Sequence, residues 1–102
     1  MKRWPREIAL CAICLATQLA FAQPDPLQLR SWAAACANCH GSLGVAEPGM
    51  VSLAGVSKEV LAKQLLDFKA GRRPATIMHQ IAKGYSDEQL EQLAGYFAAL
   101  KK

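Results

Sequence analysis

A chain of 102 residues has room for one small domain, and its formal net charge of +4 is set partly by its first few residues. Lys2, Arg3, Arg6 and Glu7 lie in a leading segment, and without it nine basic and seven acidic residues remain. A balance that close to neutral gives no support for nucleic-acid binding, which calls for a clustered basic surface.

Lys2, Arg3 and Arg6 precede an apolar run from Ile8 to about Leu19, and Ala20-Phe21-Ala22 is an A-x-A cleavage site. The run is short for a spanning helix, which needs about 20 apolar residues, and it contains Thr17 and Gln18. Residues 1–22 are therefore expected to be a secretory signal peptide cleaved after Ala22. Residues 23–102 would then form an exported, periplasmic domain without a membrane anchor. Cleavage also removes Cys11 and Cys14, which together with Cys36 and Cys39 loosely resemble a four-thiolate zinc site.

Gln23-Pro24-Asp25-Pro26 reads as an irregular lead-in, because each proline disfavours helix at the residue before it. From Leu27 the spacing of Leu29, Trp32, Ala33 and Cys36 predicts a helix running into Cys36-Ala37-Asn38-Cys39-His40. C-x-x-C-H is the attachment signature of c-type haem. Each thiol can add across one haem vinyl group, and the histidine that follows is held under the porphyrin as an axial iron ligand. Past the leader these are the only cysteines, so one covalently bound haem and no disulfide are expected. About 80 residues make a marginal hydrophobic core, and a covalent haem would supply an apolar centre for it.

The glycine-rich stretch from Gly41 to Gly55, with Pro48 inside it, has no sustained period and reads as a loop. Ser57 is a good N-cap with Glu59 in the first turn, and Val60, Leu61, Gln64, Leu65 and Phe68 mark a second helix ending before Gly71. A short helix from about Thr76 to Lys83 is predicted to stop at Gly84. Ser86-Asp87-Glu88-Gln89 is a capping box, opening a last helix with Leu90, Leu93, Ala94, Phe97 and Leu100 on one face. No segment alternates as a strand. The expected domain is all-α, with about four helices wrapped around one haem.

The sixth iron ligand decides the chemistry. Methionine raises the potential and suits electron transfer, whereas an open position permits a sensor or a haem enzyme. Met50, Met78 and His79 are the candidates past the leader. Met78 lies 38 residues after His40, far enough for the chain to wrap around the haem, while Met50 lies only ten residues beyond it. Histidine–histidine ligation through His79 is chemically reasonable. One residue along a helix turns the side chain by about 100°, so Met78 and His79 cannot share a direction. Spacing favours Met78 and leaves the other two open.

From about Leu27 to Leu100 the chain resembles a class I cytochrome c of the c4/c553 group, most of all the sulfide dehydrogenase type. Cys36 to Gly41, Leu65 through Gly71, Thr76-Ile77-Met78, Ile81 to Ser86 and Ala94-Gly95-Tyr96-Phe97 carry the likeness. The resemblance implies thioethers at Cys36 and Cys39, His40 as proximal ligand and Met78 as distal ligand. It implies a one-electron carrier, not itself an enzyme, that accepts electrons from an FAD flavoprotein oxidising sulfide. A free carrier serving a terminal oxidase or another dehydrogenase is the runner-up. The resemblance further implies that the first and last helices cross, Ala33 or Ala37 meeting Gly95, Tyr96 and Phe97. The family usually places a proline where Val51 stands, its carbonyl accepting the proximal histidine's N–H, and Pro48 falls three residues earlier. Arg72 and Arg73 are read either as a solvated face or as partners of a propionate or a protein. Tyr85 is a candidate for the haem edge.

Overall fold

The computed structural model describes residues 24–102. The expected signal peptide, its cleavage site, Cys11 and Cys14 lie outside the described residues. Within them are four helices, α1 Pro26–His40, α2 Lys58–Lys69, α3 Met78–Lys83 and α4 Asp87–Ala98, with a single 3-10 turn at Ser42–Gly44 and no strand.

Helix α1 starts one residue earlier than periodicity predicts. Asp25 caps it, its Oδ1 accepting from the Leu27 N–H at 3.0 Å. Pro26 follows at the first helical position, where its missing N–H is no loss and its fixed φ suits the turn. The proline that reads as lead-in is thus the first residue of the helix. At the other end Gly41 turns the chain sharply, at φ +83° and ψ 160°, with its N–H on the Ala37 carbonyl at 3.0 Å.

Ser57 caps α2 through its hydroxyl on the Val60 N–H, and Gly71, at φ +75°, closes it as expected. Helix α3 begins at Met78 rather than Thr76. Ile77 has non-helical backbone (φ −138°) and no side-chain cap serves this end, so the two residues after Pro74-Ala75 form a bend outside the helix. The capping box of α4 is complete: the Gln89 N–H donates to Ser86 Oγ at 3.1 Å, and Gln89 Oε1 accepts from the Ser86 N–H at 2.8 Å.

Packing follows the apolar stripes. Helix α2 lies against α4 and α3, and α1 against α4. Ala33, Leu61, Leu93, Ala94 and Phe97 form the centre, with Trp32, Cys36, Leu65, Tyr85 and Tyr96 packed on it. Tyr96 and Phe97 meet edge to face at 5.2 Å between ring centres. Ala33 and Phe97 therefore join α1 to α4 as the resemblance implies. Gly95 differs: a Cβ added there would meet only the stem of Lys58, at 3.6 Å. The buried small residue of α4 is Ala94. The core is thin, with Leu90 its one large side chain that is almost wholly enclosed (1% exposed) among the described residues.

The loop from Gly41 to Gly55 is fastened to this core. The Gly44 carbonyl accepts from the Leu53 and Ala54 N–H groups at 2.8 and 3.1 Å, and the Gly55 N–H donates to the Phe97 carbonyl at 3.0 Å. These bonds fix where Val51 lies.

Candidate haem site

Cys36, Cys39 and His40 occupy the last turns of α1, at i, i+3 and i+4, so the helix presents them along one stripe. Both thiols are free; Cys36 is half-buried and Cys39 exposed. Burial pushes the Cys36 thiol up from its ordinary value, outweighing a hydrogen bond to the backbone that lowers it. Burial thus favours its neutral S–H form.

His40 Nδ1 lies 2.7 Å from the Val51 carbonyl oxygen. A carbonyl only accepts, so Nδ1 carries the proton and donates it, which leaves Nε2 with its lone pair outward. That is the tautomer a metal ligand needs, and the bond also fixes the plane of the ring. Val51 thus supplies from its backbone what the family pattern assigns to proline. Gly41 makes this possible, because the chain doubles back at once: a Cβ at Gly41 would sit 1.8 Å from the Val45 carbonyl oxygen.

Two of the three candidate distal residues, Met78 and His79, stand together at the start of α3. Met78 opens α3 half-buried; Ala82, four residues on, is buried at 1% exposure, while Ile81, three residues on, is exposed. His79 is equally half-buried, with buried Ala82 three residues on and exposed Lys83 four residues on. Met50 is exposed on the 41–55 loop. The C-terminal end of α3 also reaches the motif. Tyr85, two residues past the helix, packs on the same apolar centre as Cys36. Burial, with a smaller contribution from Cys36, raises the Tyr85 phenol above its ordinary value.

The donor set fits a c-type haem. It offers two free thiols at the vinyl-linking spacing, a histidine oriented through Nδ1 by a backbone carbonyl, and a half-buried thioether at the start of α3. Exposed apolar side chains accompany the ligand-bearing elements, Val45, Met50 and Val51 on the loop and Ile77 and Ile81 beside Met78. Among the described residues no three His, Cys, Asp or Glu side chains gather to hold a metal ion.

Arg72 and Arg73 have partners within the chain. Arg72 Nε donates to Asp67 Oδ1 at 2.9 Å, and the Arg73 guanidinium lies 5.3 Å over the Phe68 ring. Asp67 also takes Lys63 Nζ at 2.6 Å, and these two cations hold its carboxyl below its ordinary value. Sequence reading passed over Asp67. The i, i+4 spacing of Lys63 and Asp67 was the available signal.

No family model matches the chain. Among curated proteins it is 42% identical over 67 residues to the cytochrome subunit of sulfide dehydrogenase of Chlorobaculum tepidum, covering 66% of this chain and 61% of that one. It is 34% identical over 77 residues to cytochrome c-553 of Helicobacter pylori, covering 72% of this chain and 78% of the relative. The solved cytochrome c4 of Acidithiobacillus ferrooxidans superposes with a TM-score of 0.62 at 38% identity, over 65% of this chain and 38% of that chain. The chain thus spans less than two thirds of the length of the sulfide dehydrogenase subunit and of cytochrome c4. Proteins of this kind are electron carriers, not enzymes, and carry haem c. With the attachment motif in place and the all-helical fold shared, the chain belongs to the class I cytochromes c, in the cytochrome c4/c553 group.

Proposed function

We propose that this cytochrome is an exported, periplasmic carrier with one haem, held through Cys36 and Cys39 and ligated by His40 and Met78. It serves as the electron-accepting subunit of a sulfide-oxidising flavoprotein. The haem, when bound, supplies reversible one-electron oxidation and reduction of its iron. Cys36 and Cys39 anchor it to a single rigid helix. His40 is oriented by the Val51 carbonyl, which makes the imidazole a stronger donor. A thioether at the remaining position favours the reduced state and excludes outside ligands. The ligand assignment is supported by the 38-residue spacing from His40 to Met78 and by the half-burial of Met78 at the start of α3, with buried Ala82 one turn on.

The partner is supported by the 42% identity to a sulfide dehydrogenase cytochrome subunit. Export is supported by the composition of residues 1–22, and no helix of the described residues is long and apolar enough to cross a membrane. A second reading, a free carrier, is favoured by cytochrome c-553, the relative whose length this chain covers most fully of those compared above.

Two experiments divide these readings. The Met78→Ala holoprotein should lose the long-wavelength ferric absorption of a thioether–iron bond and bind carbon monoxide when reduced; survival of the band overturns the ligand assignment. Native purification from the source cell should yield a complex containing flavin. A haem-only monomer, active with an oxidase, would establish the free carrier instead.

A further inference from the structure

Met78 follows a stretch with little backbone support. Among the described residues no backbone hydrogen bond outside the helices is donated from 73 through 77, and order resumes where the Ile77 carbonyl accepts from Gln80 and Ile81. The start of this stretch, in contrast, is fastened by one residue in two ways. The Arg72 N–H donates to the Asp67 carbonyl at 2.8 Å, and the Arg72 side chain donates to the Asp67 carboxylate at 2.9 Å. Gly71 makes the reversal, its N–H on the Phe68 carbonyl at 3.1 Å, which completes a Schellman turn.

The carboxylate is the centre of this fastening. Its side chain is 15% exposed while that of Arg72 is 64% exposed, so the anion is the fixed partner and the arginine is drawn to it. Lys63 holds the other carboxylate oxygen from the preceding turn of α2. Arg73 lies over Phe68, and Lys69 reaches Asp87 at 2.8 Å, tying the same end of α2 to the start of α4. Without the carboxylate, Lys63 and Arg72 would face each other with no counter-charge, and the Arg72 side chain would be released.

We propose that Asp67 is a positioning residue for the distal ligand: by gripping Arg72 it anchors the segment that carries Met78 and keeps the iron closed to outside ligands. The proposal rests on Met78 as ligand. An outside ligand binds only the fraction of molecules in which Met78 has swung away, so its apparent affinity reads that fraction directly.

The test is titration of the ferric holoprotein with imidazole, following the thioether–iron band. Asp67→Asn should bind imidazole about threefold to tenfold more tightly at low ionic strength, the range of a partly shielded ion pair with two partners. The gain should shrink at about 1 M salt, where the Debye length is about 3 Å. Asp67→Glu should restore most of the wild-type affinity, and Lys63→Gln, which leaves the Arg72 bond intact, should stay within about twofold. Ser57→Ala, which removes the cap at the far end of α2, controls for general loss of stability. Equal affinity for wild type and Asp67→Asn overturns the proposal, as does an equal gain in Ser57→Ala. A band that persists in Met78→Ala instead removes the ligand assignment beneath it.

Discussion

Replacing Gly41 with alanine attacks the haem motif without touching a ligand. A Cβ there would lie 1.8 Å from the Val45 carbonyl oxygen and 2.6 Å from its carbon, so the loop must retreat by about 1.2 Å to reach even a 3.0 Å contact. The obstacle is backbone and cannot rotate aside. The backbone itself, at φ +83° and ψ 160°, is a region open essentially to glycine, and occupying it costs about 1–3 kcal/mol. A retreat of that size passed along to Val51 would carry the 2.7 Å bond to His40 beyond hydrogen-bonding range, adding about 1 kcal/mol. The sum, about 2–4 kcal/mol, is a large share of the roughly 4–12 kcal/mol typical of a domain this size. Urea unfolding of the holoprotein, with haem content and reduction potential, measures it. Gly49→Ala is the control, since Gly49 has φ +95° but nothing within 4 Å of an added Cβ, leaving only the left-handed cost of about 1–2 kcal/mol. Matching midpoints and potentials for the two variants would refute the close-approach reasoning.

Gly95→Ala should stabilise by about 0.5–1 kcal/mol in the same unfolding assay, because the residue is mid-helix and the new methyl meets only the Lys58 stem. Leu90→Ala should cost about 2–5 kcal/mol, the range for emptying an enclosed leucine site, and a loss below 1 kcal/mol would mean the site collapses. The Asp67 carboxyl is depressed by Lys63 and Arg72, so the folded state binds fewer protons there than the unfolded state. Its contribution is complete above the ordinary value of 3.8 and is lost as pH falls from there through the depressed folded value. The stability gap between wild type and Asp67→Asn should therefore close on acidification, as acid unfolding curves would show; a gap that widens would contradict the sign.

The helices were legible wherever a side chain within four residues decides the boundary. Ser57 and Ser86 cap at the predicted positions, and C-x-x-C-H names its own chemistry. Boundaries shifted where proline is ambiguous. Pro26 serves as an opener for α1, and the segment after Pro74 stays non-helical through Ile77, delaying α3 to Met78. Spacing alone does not say which face of α3 turns inward, so periodicity could not rank Met78 against His79 by burial. The partners of Arg72, Arg73 and Gly95 were hidden for a related reason. Each depends on how a helix end or a neighbouring helix is placed, which periodicity within one element does not encode.

The acceptor for His40 belongs to the main chain, and that insulates it from substitution at position 51 itself. Any residue at position 51 brings the same oxygen, and the side chain there, 69% exposed at Val51, can change without removing it. The position can drift between proline and valine with the imidazole still aligned. Changes that misalign the imidazole must then enter through the turn that sets where the oxygen lies, at Gly41 and the loop it folds back on.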